Sequence, residues 1–114
     1  MTDFRLPDYL EHIRDAILEA QELLQGMDKA VFLTDRRTQL AMVALVGVIG
    51  EATGNALRRY PEFAESHSEV PWHKMRGLRD RVAHGYFDVD FEAIWVIMQR
   101  DLPALLEQLR TIEP

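Results

Sequence analysis

The chain has no cysteine. Disulfides, zinc–thiolate sites and a thiol nucleophile are excluded with it, and the absence suits a reducing compartment. A basic segment followed by an apolar run is also missing from Met1-Thr2-Asp3-Phe4-Arg5, so no signal peptide is expected. The longest uncharged apolar run, Leu40 to Gly50, is 11 residues, whereas a bilayer span takes about 20. A cytoplasmic location is therefore expected. Positive charge is scarce: 13 Lys and Arg face 19 Asp and Glu, for a net charge of -6. That argues against non-specific coating of nucleic acid, because phosphate contacts supply most of such affinity. Metal-ligand patterns are lacking too. His12, His67, His73 and His84 show no HExxH or paired spacing, and no run of carboxylates joins them, so neither a metal nor a cofactor is expected. No P-loop, dinucleotide fingerprint or nucleophile elbow occurs, although a Ser-His-Asp triad assembled from distant residues stays open.

What is present reads as helix nearly throughout. At 114 residues the chain suits a single domain, residues 1–114, that buries roughly two-thirds of its unfolded surface. Asp8-Tyr9-Leu10-Glu11 has the form of a capping box. Leu10, Ile13, Ala16, Ile17, Ala20, Leu23 and Leu24 then recur at helical spacing up to Gly26. A short turn capped by Asp28 follows. Thr34 or Asp35 then caps a long helix that Pro61 stops near Tyr60. Residues 62–70 read as a polar connection, and Pro71-Trp72 opens a third helix. Asp90 caps a fourth, and Asp101-Leu102-Pro103 restarts the chain as a last one. The sum is an all-α, up-and-down bundle of four to five helices.

In the long helix, Ala44, Gly47, Gly50 and Gly54 fall on one side of a wheel turned by about 100° per residue. Each glycine costs a helix about 1 kcal/mol relative to alanine, so the track implies a close helix contact, within the chain or across a dimer. Glu51 lies inside the same arc. It either meets a partner or points from the helix margin into water, since an unpaired buried carboxylate is costly.

The chemistry gathers in Arg79-Asp80-Arg81-Val82-Ala83-His84-Gly85-Tyr86. Lys74, Arg76, Arg79 and Arg81 put four cations within eight positions, opposed there only by Asp80. A local basic spot on an acidic body suits one phosphate or a few, or an acidic protein partner. Lys74, Arg76 and Arg81 are candidate RNA contacts on this ground. On a continuous helix Asp80 and His84, four apart, share a face, so the carboxylate can orient the imidazole. Arg79 falls within the apolar arc of Trp72, Met75, Leu78 and Val82. Either its stem packs with the guanidinium in a cleft, or it has a buried partner such as Glu51. Five residues separate Arg79 from His84, about 140° on an ideal helix, so one phosphate reaches both only by unwinding at Gly85, by arginine's length, or across a symmetric dimer. RNA carries its own nucleophile, the 2′-hydroxyl. A histidine can take its proton while an arginine steadies the phosphorane charge and a second acid protonates the leaving oxygen.

Arg79, four intervening residues, His84, one residue and Tyr86 resemble the Arg-x(4-6)-His signature of HEPN-domain ribonucleases, in the His-x-Tyr form of HepT-like toxins. Ile49-Gly50-Glu51-Ala52, Val70-Pro71-Trp72, Gly77-Leu78-Arg79, Val89-Asp90, Ile94-Trp95 and Asp101-Leu102-Pro103 extend the resemblance across about residues 5 to 112. It implies a HEPN bundle that homodimerises with its two motif segments facing across a cleft. It implies a metal-independent endoribonuclease, the toxin of a type VII toxin–antitoxin pair, with Arg79 and His84 catalytic; on the reading of the residues above, Asp80 and Glu51 are in support. It further implies an MntA-like nucleotidyltransferase antitoxin that transfers AMP to Tyr86. The residue after the arginine is commonly asparagine in this group and is Asp80 here, which adds negative charge where a phosphate must bind. The alternative is a non-catalytic HEPN subunit that binds and regulates a nucleotidyltransferase.

Overall fold

A computed structural model describes residues 4–85 and 88–112. They form α1 (Leu6–Leu24), α2 (Lys29–Phe32), α3 (Arg36–Arg59), α4 (Pro61–Ser66), α5 (Trp72–Arg76), α6 (Leu78–Val82), α7 (Phe91–Val96), a π-helical turn (Ile97–Asp101) and α8 (Leu102–Arg110). The architecture is the expected all-α bundle. With 24 residues, α3 runs about 36 Å at 1.5 Å per residue, most of the 41 Å length of the molecule. The other helices are arranged on it. The most extensive packing is α1 against α3; α5 and α6 lie on α3 as well, and α8 returns to α1.

The periodic apolar positions account for this arrangement. Leu10, Ile13 and Ile17 of α1 and Met42, Val46 and Ile49 of α3 are fully buried in one core with Ile94, Ile97, Leu102 and Leu109. Each such side chain contributes about 1.5–3 kcal/mol when withdrawn from water. Leu23, expected in the core, is exposed at the tapering end of α1. By length and composition α3 could also cross a membrane. Its apolar character is accounted for by the bundle, where α1, α5 and α6 cover it.

Local chemistry sets the helix ends. The Asp28 carboxylate accepts from the Val31 amide, and the Asp35 carboxylate from the Thr38 amide and hydroxyl. Both are the caps expected at these positions. Asp8 is not a cap: the helix begins two residues earlier, at Leu6, and Asp8 reaches back to accept from the Arg5 amide at 2.8 Å. Pro7 in the first turn costs no hydrogen bond, so α1 starts before it. Gly26, with φ +79°, takes the left-handed step that ends α1. Beyond Tyr60 the polar connection contains α4, because Pro61 stops α3 and opens a new helix at its own first turn. Trp72 is buried, and its indole donates to the His67 carbonyl at 3.0 Å. Among the described residues the two buried polar side chains are satisfied: Gln39 donates to the Phe32 carbonyl and Thr53 to that of Ile49 one turn back.

Three expected helices take a different form. The third breaks at Gly77 into α5 and α6 and stops at Val82, before His84. The fourth and last do not separate at Pro103 but join through the π-helical turn, with the Leu102 amide bonded to the Ile97 carbonyl. Proline has no N–H and crowds the carbonyl four residues back, and the wider turn just before it provides room.

Candidate active site

Arg79 stands on α6 with its side chain exposed, not packed in the apolar arc that a continuous helix would give it. The expected arc itself is buried, with Trp72, Met75, Leu78 and Val82 all in the core. The Arg79 side chain lies at the wall between two clefts. The larger, about 550 Å³, is lined by Ala44, Gly47, Gly50 and Glu51 of α3 together with Arg76, Arg79 and Asp80. The smaller, about 250 Å³, is lined by Arg36, Leu40 and Val43 of α3 with Arg79, Ala83 and Gly85. Among the described residues Arg79 makes no side-chain hydrogen bond or ion pair, so its guanidinium is free to take an anion. Glu51, named above as a possible partner, shares the larger cleft, is exposed, and forms no ion pair with Arg79.

His84 follows α6 in extended chain. Its amide donates to the Asp88 carbonyl at 2.8 Å, and the Asp90 amide donates to the Val82 carbonyl at 2.7 Å. An isolated antiparallel bridge joins Ala83 to Val89. These bonds clamp both ends of the segment and fix the His84 backbone between Ala83 and Gly85, both of which line the smaller cleft. The imidazole is exposed. Asp80 does not share a helical face with it, because α6 ends at Val82, and no hydrogen bond joins them among the described residues. Asp80 lines the Arg79 cleft instead. Gly85 takes φ +154°, a backbone that side chains rarely adopt. Tyr86, the expected modification site, lies outside the described residues.

The remaining cations divide. Arg76 reaches the larger cleft, and Lys74 lines a different hollow beside α4 together with Arg76. Arg81 points away from both, to Asp101 at 3.6 Å. Arg36 goes unmarked in the sequence, yet it lines the smaller cleft together with Arg79. Its signal is present but faint: Arg36, Leu40 and Val43 fall at i, i+4 and i+7 on the stripe that leads to the small-residue track. Among the described residues no three His, Asp or Glu side chains gather as a metal-binding group.

Arg36 and Arg79 line one hollow next to the clamped backbone of His84 on an all-α fold, an arrangement of charge that could hold an anion. The chain belongs to the Ribonuclease HepT-like family, which it matches over residues 13–112. It is 37% identical over 106 residues to "Probable ribonuclease HepT" of Thermococcus cleftensis, covering 90% of this chain and 94% of that protein. A protein of Caldanaerobacter subterraneus subsp. tengcongensis that carries a provisional RNase name is 36% identical over 104 residues, 91% of this chain and 90% of its own. One from Methanocaldococcus jannaschii, also provisionally named an RNase, is 35% identical over 108 residues, 94% of this chain and 83% of its own. No solved structure matches the chain at a significant level.

Proposed function

We propose that this protein is a metal-independent endoribonuclease that works as a homodimer. The observation that carries the reading is Arg79, exposed and unpaired among the described residues, at the wall of two clefts beside the clamped His84. His84 accepts the proton of the RNA 2′-hydroxyl as that oxygen attacks the adjacent phosphorus. Arg79, with Arg36 in the same cleft, stabilises the charge on the phosphorane oxygens. The bond from phosphorus to the 5′-oxygen breaks, a 2′,3′-cyclic phosphate remains, and a second acid gives the leaving oxygen its proton. The imidazole of the second copy fits that role. Membership of the HepT-like family supports the substrate class.

Dimerisation is supported by what α3 leaves uncovered. Leu40 and Val48 are 53% and 42% exposed. They share one face with exposed Ala44, beside the open Gly47. That stripe borders both clefts, so pairing it in a two-fold dimer brings two half-sites together. In the cell, a cytoplasmic setting, the protein acts as a toxin restrained by an MntA-like nucleotidyltransferase that attaches AMP to Tyr86. An added phosphate at that position competes with substrate for the same cations.

The test is direct. Unmodified protein in EDTA cuts single-stranded RNA to products with 2′,3′-cyclic phosphate ends, and His84→Ala stops cleavage while the helical circular dichroism persists. Equal cleavage by both proteins would sink the proposal. One observation favours a second reading, the regulatory subunit that binds a nucleotidyltransferase without cutting RNA: two carboxylates, Glu51 and Asp80, line the Arg79 cleft. Co-purification of a stable complex, with no cleavage by the unmodified protein, is the outcome that selects it.

A further inference from the structure

A hollow of about 590 Å³ lies beside α4 and α5 and includes neither Arg79 nor His84. Its lining includes the side chains of Leu57, Val70 and Trp72, of which Val70 and Trp72 are buried. Arg58, Lys74 and Arg76 also line it, and Glu65 is the one carboxylate among its lining residues. Local charge is thus reversed against a chain of net charge -6. The hollow also neighbours the proposed active site, because Arg76 lines both. Gly50 and Gly54 fix that junction. A Cβ at Gly50 would stand 3.1 Å from the Arg76 carbonyl, and one at Gly54 would stand 3.7 Å from the Arg76 side chain. The Arg76 guanidinium is held further by His73 at 3.2 Å, and Arg58 donates to Asn55.

We infer that this hollow is a second RNA subsite, which takes a base and the neighbouring phosphates of the strand that runs on from the scissile bond. The inference rests on the ribonuclease reading for the direction of the strand. Single-stranded RNA is held where cations track the backbone and an apolar surface receives a base, and a hollow of this size, apolar floor and cationic rim provides both. The distances agree. Glu51, in the active cleft, and Arg58, in the hollow, are seven residues apart on α3, about 10 Å at 1.5 Å per residue. That is the length of about three stacked nucleotides at 3.4 Å each. A substrate of two nucleotides fills the active cleft alone, and a longer one reaches the second subsite.

Two kinds of variant test this in full-length protein. In a His84→Ala background, Arg58→Gln with Lys74→Gln weakens binding of a labelled ten-nucleotide single-stranded RNA about tenfold. It makes the slope of log K against log salt shallower by about 1.4, at 0.7 per lost phosphate contact. Lys29→Gln with Arg110→Gln removes the same charge outside the hollow and leaves both quantities unchanged. An unchanged salt slope in the Arg58/Lys74 variant overturns the inference, and this readout needs no cleavage, so it stands even if the protein proves not to be a nuclease. Ala64→Leu fills the hollow without altering charge. In otherwise wild-type protein it slows cleavage of the ten-nucleotide RNA about tenfold and leaves dinucleotide cleavage within about twofold. An equal loss on both substrates overturns the subsite. If the variants keep their RNA affinity but no longer co-purify with the nucleotidyltransferase, the hollow is a protein-docking surface and the inference is overturned.

Discussion

Gly50 of α3 lies against the backbone of α5: a Cβ built on it would stand 3.1 Å from the carbonyl oxygen of Arg76. One turn earlier, at Gly47, nothing stands within 4 Å. The two glycines therefore have opposite reasons to be glycine. Gly50→Ala gains about 1 kcal/mol in helix propensity. It must also push back a carbonyl that belongs to a packed helix end, and crowding of that kind typically costs about 1–3 kcal/mol. The expected net effect is destabilisation by about 1 kcal/mol, a fall in Tm of about 4–8 °C for a domain of this size. Gly47→Ala has no such contact within the chain and raises the stability of the single chain by about 0.5–1 kcal/mol. Thermal melts of the two variants separate the cases, and a stabilising Gly50→Ala would remove the claimed backbone contact.

The same pair shows where the sequence is legible. The small-residue track is visible as a pattern, and the fold divides it: Gly50 and Gly54 meet Arg76, whereas Gly47 stays open. No wheel drawn for α3 contains that division, because it depends on where α5 lands. α1 and α3 are legible because their apolar positions repeat over five or more turns and Gly26, Asp35 and Pro61 mark their ends. The segment from Trp72 to His84 is legible only in part. The helix is interrupted at Gly77 and ends at Val82, so the Asp80–His84 pairing expected from one ideal helix does not form, while the apolar arc of Trp72, Met75, Leu78 and Val82 is buried as expected and Arg79 reaches the clefts. Arg36 escapes notice because it is distant in sequence, and only tertiary packing brings it to the same cleft as Arg79.

Arg79 and Arg81 are two residues apart and face different partners, which makes them a controlled comparison. Arg79→Ala and His84→Ala each lower cleavage by about 10²–10⁴-fold. Both side chains are exposed, so the melting temperature stays within about 2 °C of wild type. Arg81 pairs with Asp101 at 3.6 Å, with side-chain exposures of 47% and 35%, a contact worth at most about 1 kcal/mol. Arg81→Ala is expected to keep kcat/KM within about threefold. A loss comparable to that of Arg79→Ala would place Arg81 in the site.

Asp80 brings negative charge into the cleft that holds Arg76 and Arg79. With α6 ending at Val82, it has no helical face from which to orient His84. Asp80→Asn should therefore relieve repulsion of the substrate phosphate without disturbing the histidine. The expected result is RNA affinity raised by roughly threefold to tenfold at low salt, with the gain shrinking toward 0.5 M salt as the cleft is screened. Titration of single-stranded RNA into the His84→Ala and His84→Ala/Asp80→Asn proteins measures this. A fall in affinity would give the carboxylate a binding role.

The α3 stripe offers the most searching test, because it ties assembly to chemistry. Leu40 and Val48 are exposed while smaller residues between them, Ala44 and Gly47, leave room for a close approach. A charge introduced there faces its own copy across a two-fold axis and must be desolvated twice, which is costly at the centre of an interface. Ala44→Glu is expected to convert a dimer to a monomer in sedimentation equilibrium without unfolding it, since the position is solvent-exposed in the single chain. Cleavage should fall by about 10²-fold or more, because each active cleft then lacks the second acid. The discriminating outcome is a monomeric Ala44→Glu protein that cuts RNA at the wild-type rate. That result would make each chain's Arg79 and His84 sufficient alone, and the exposed stripe would then need another partner.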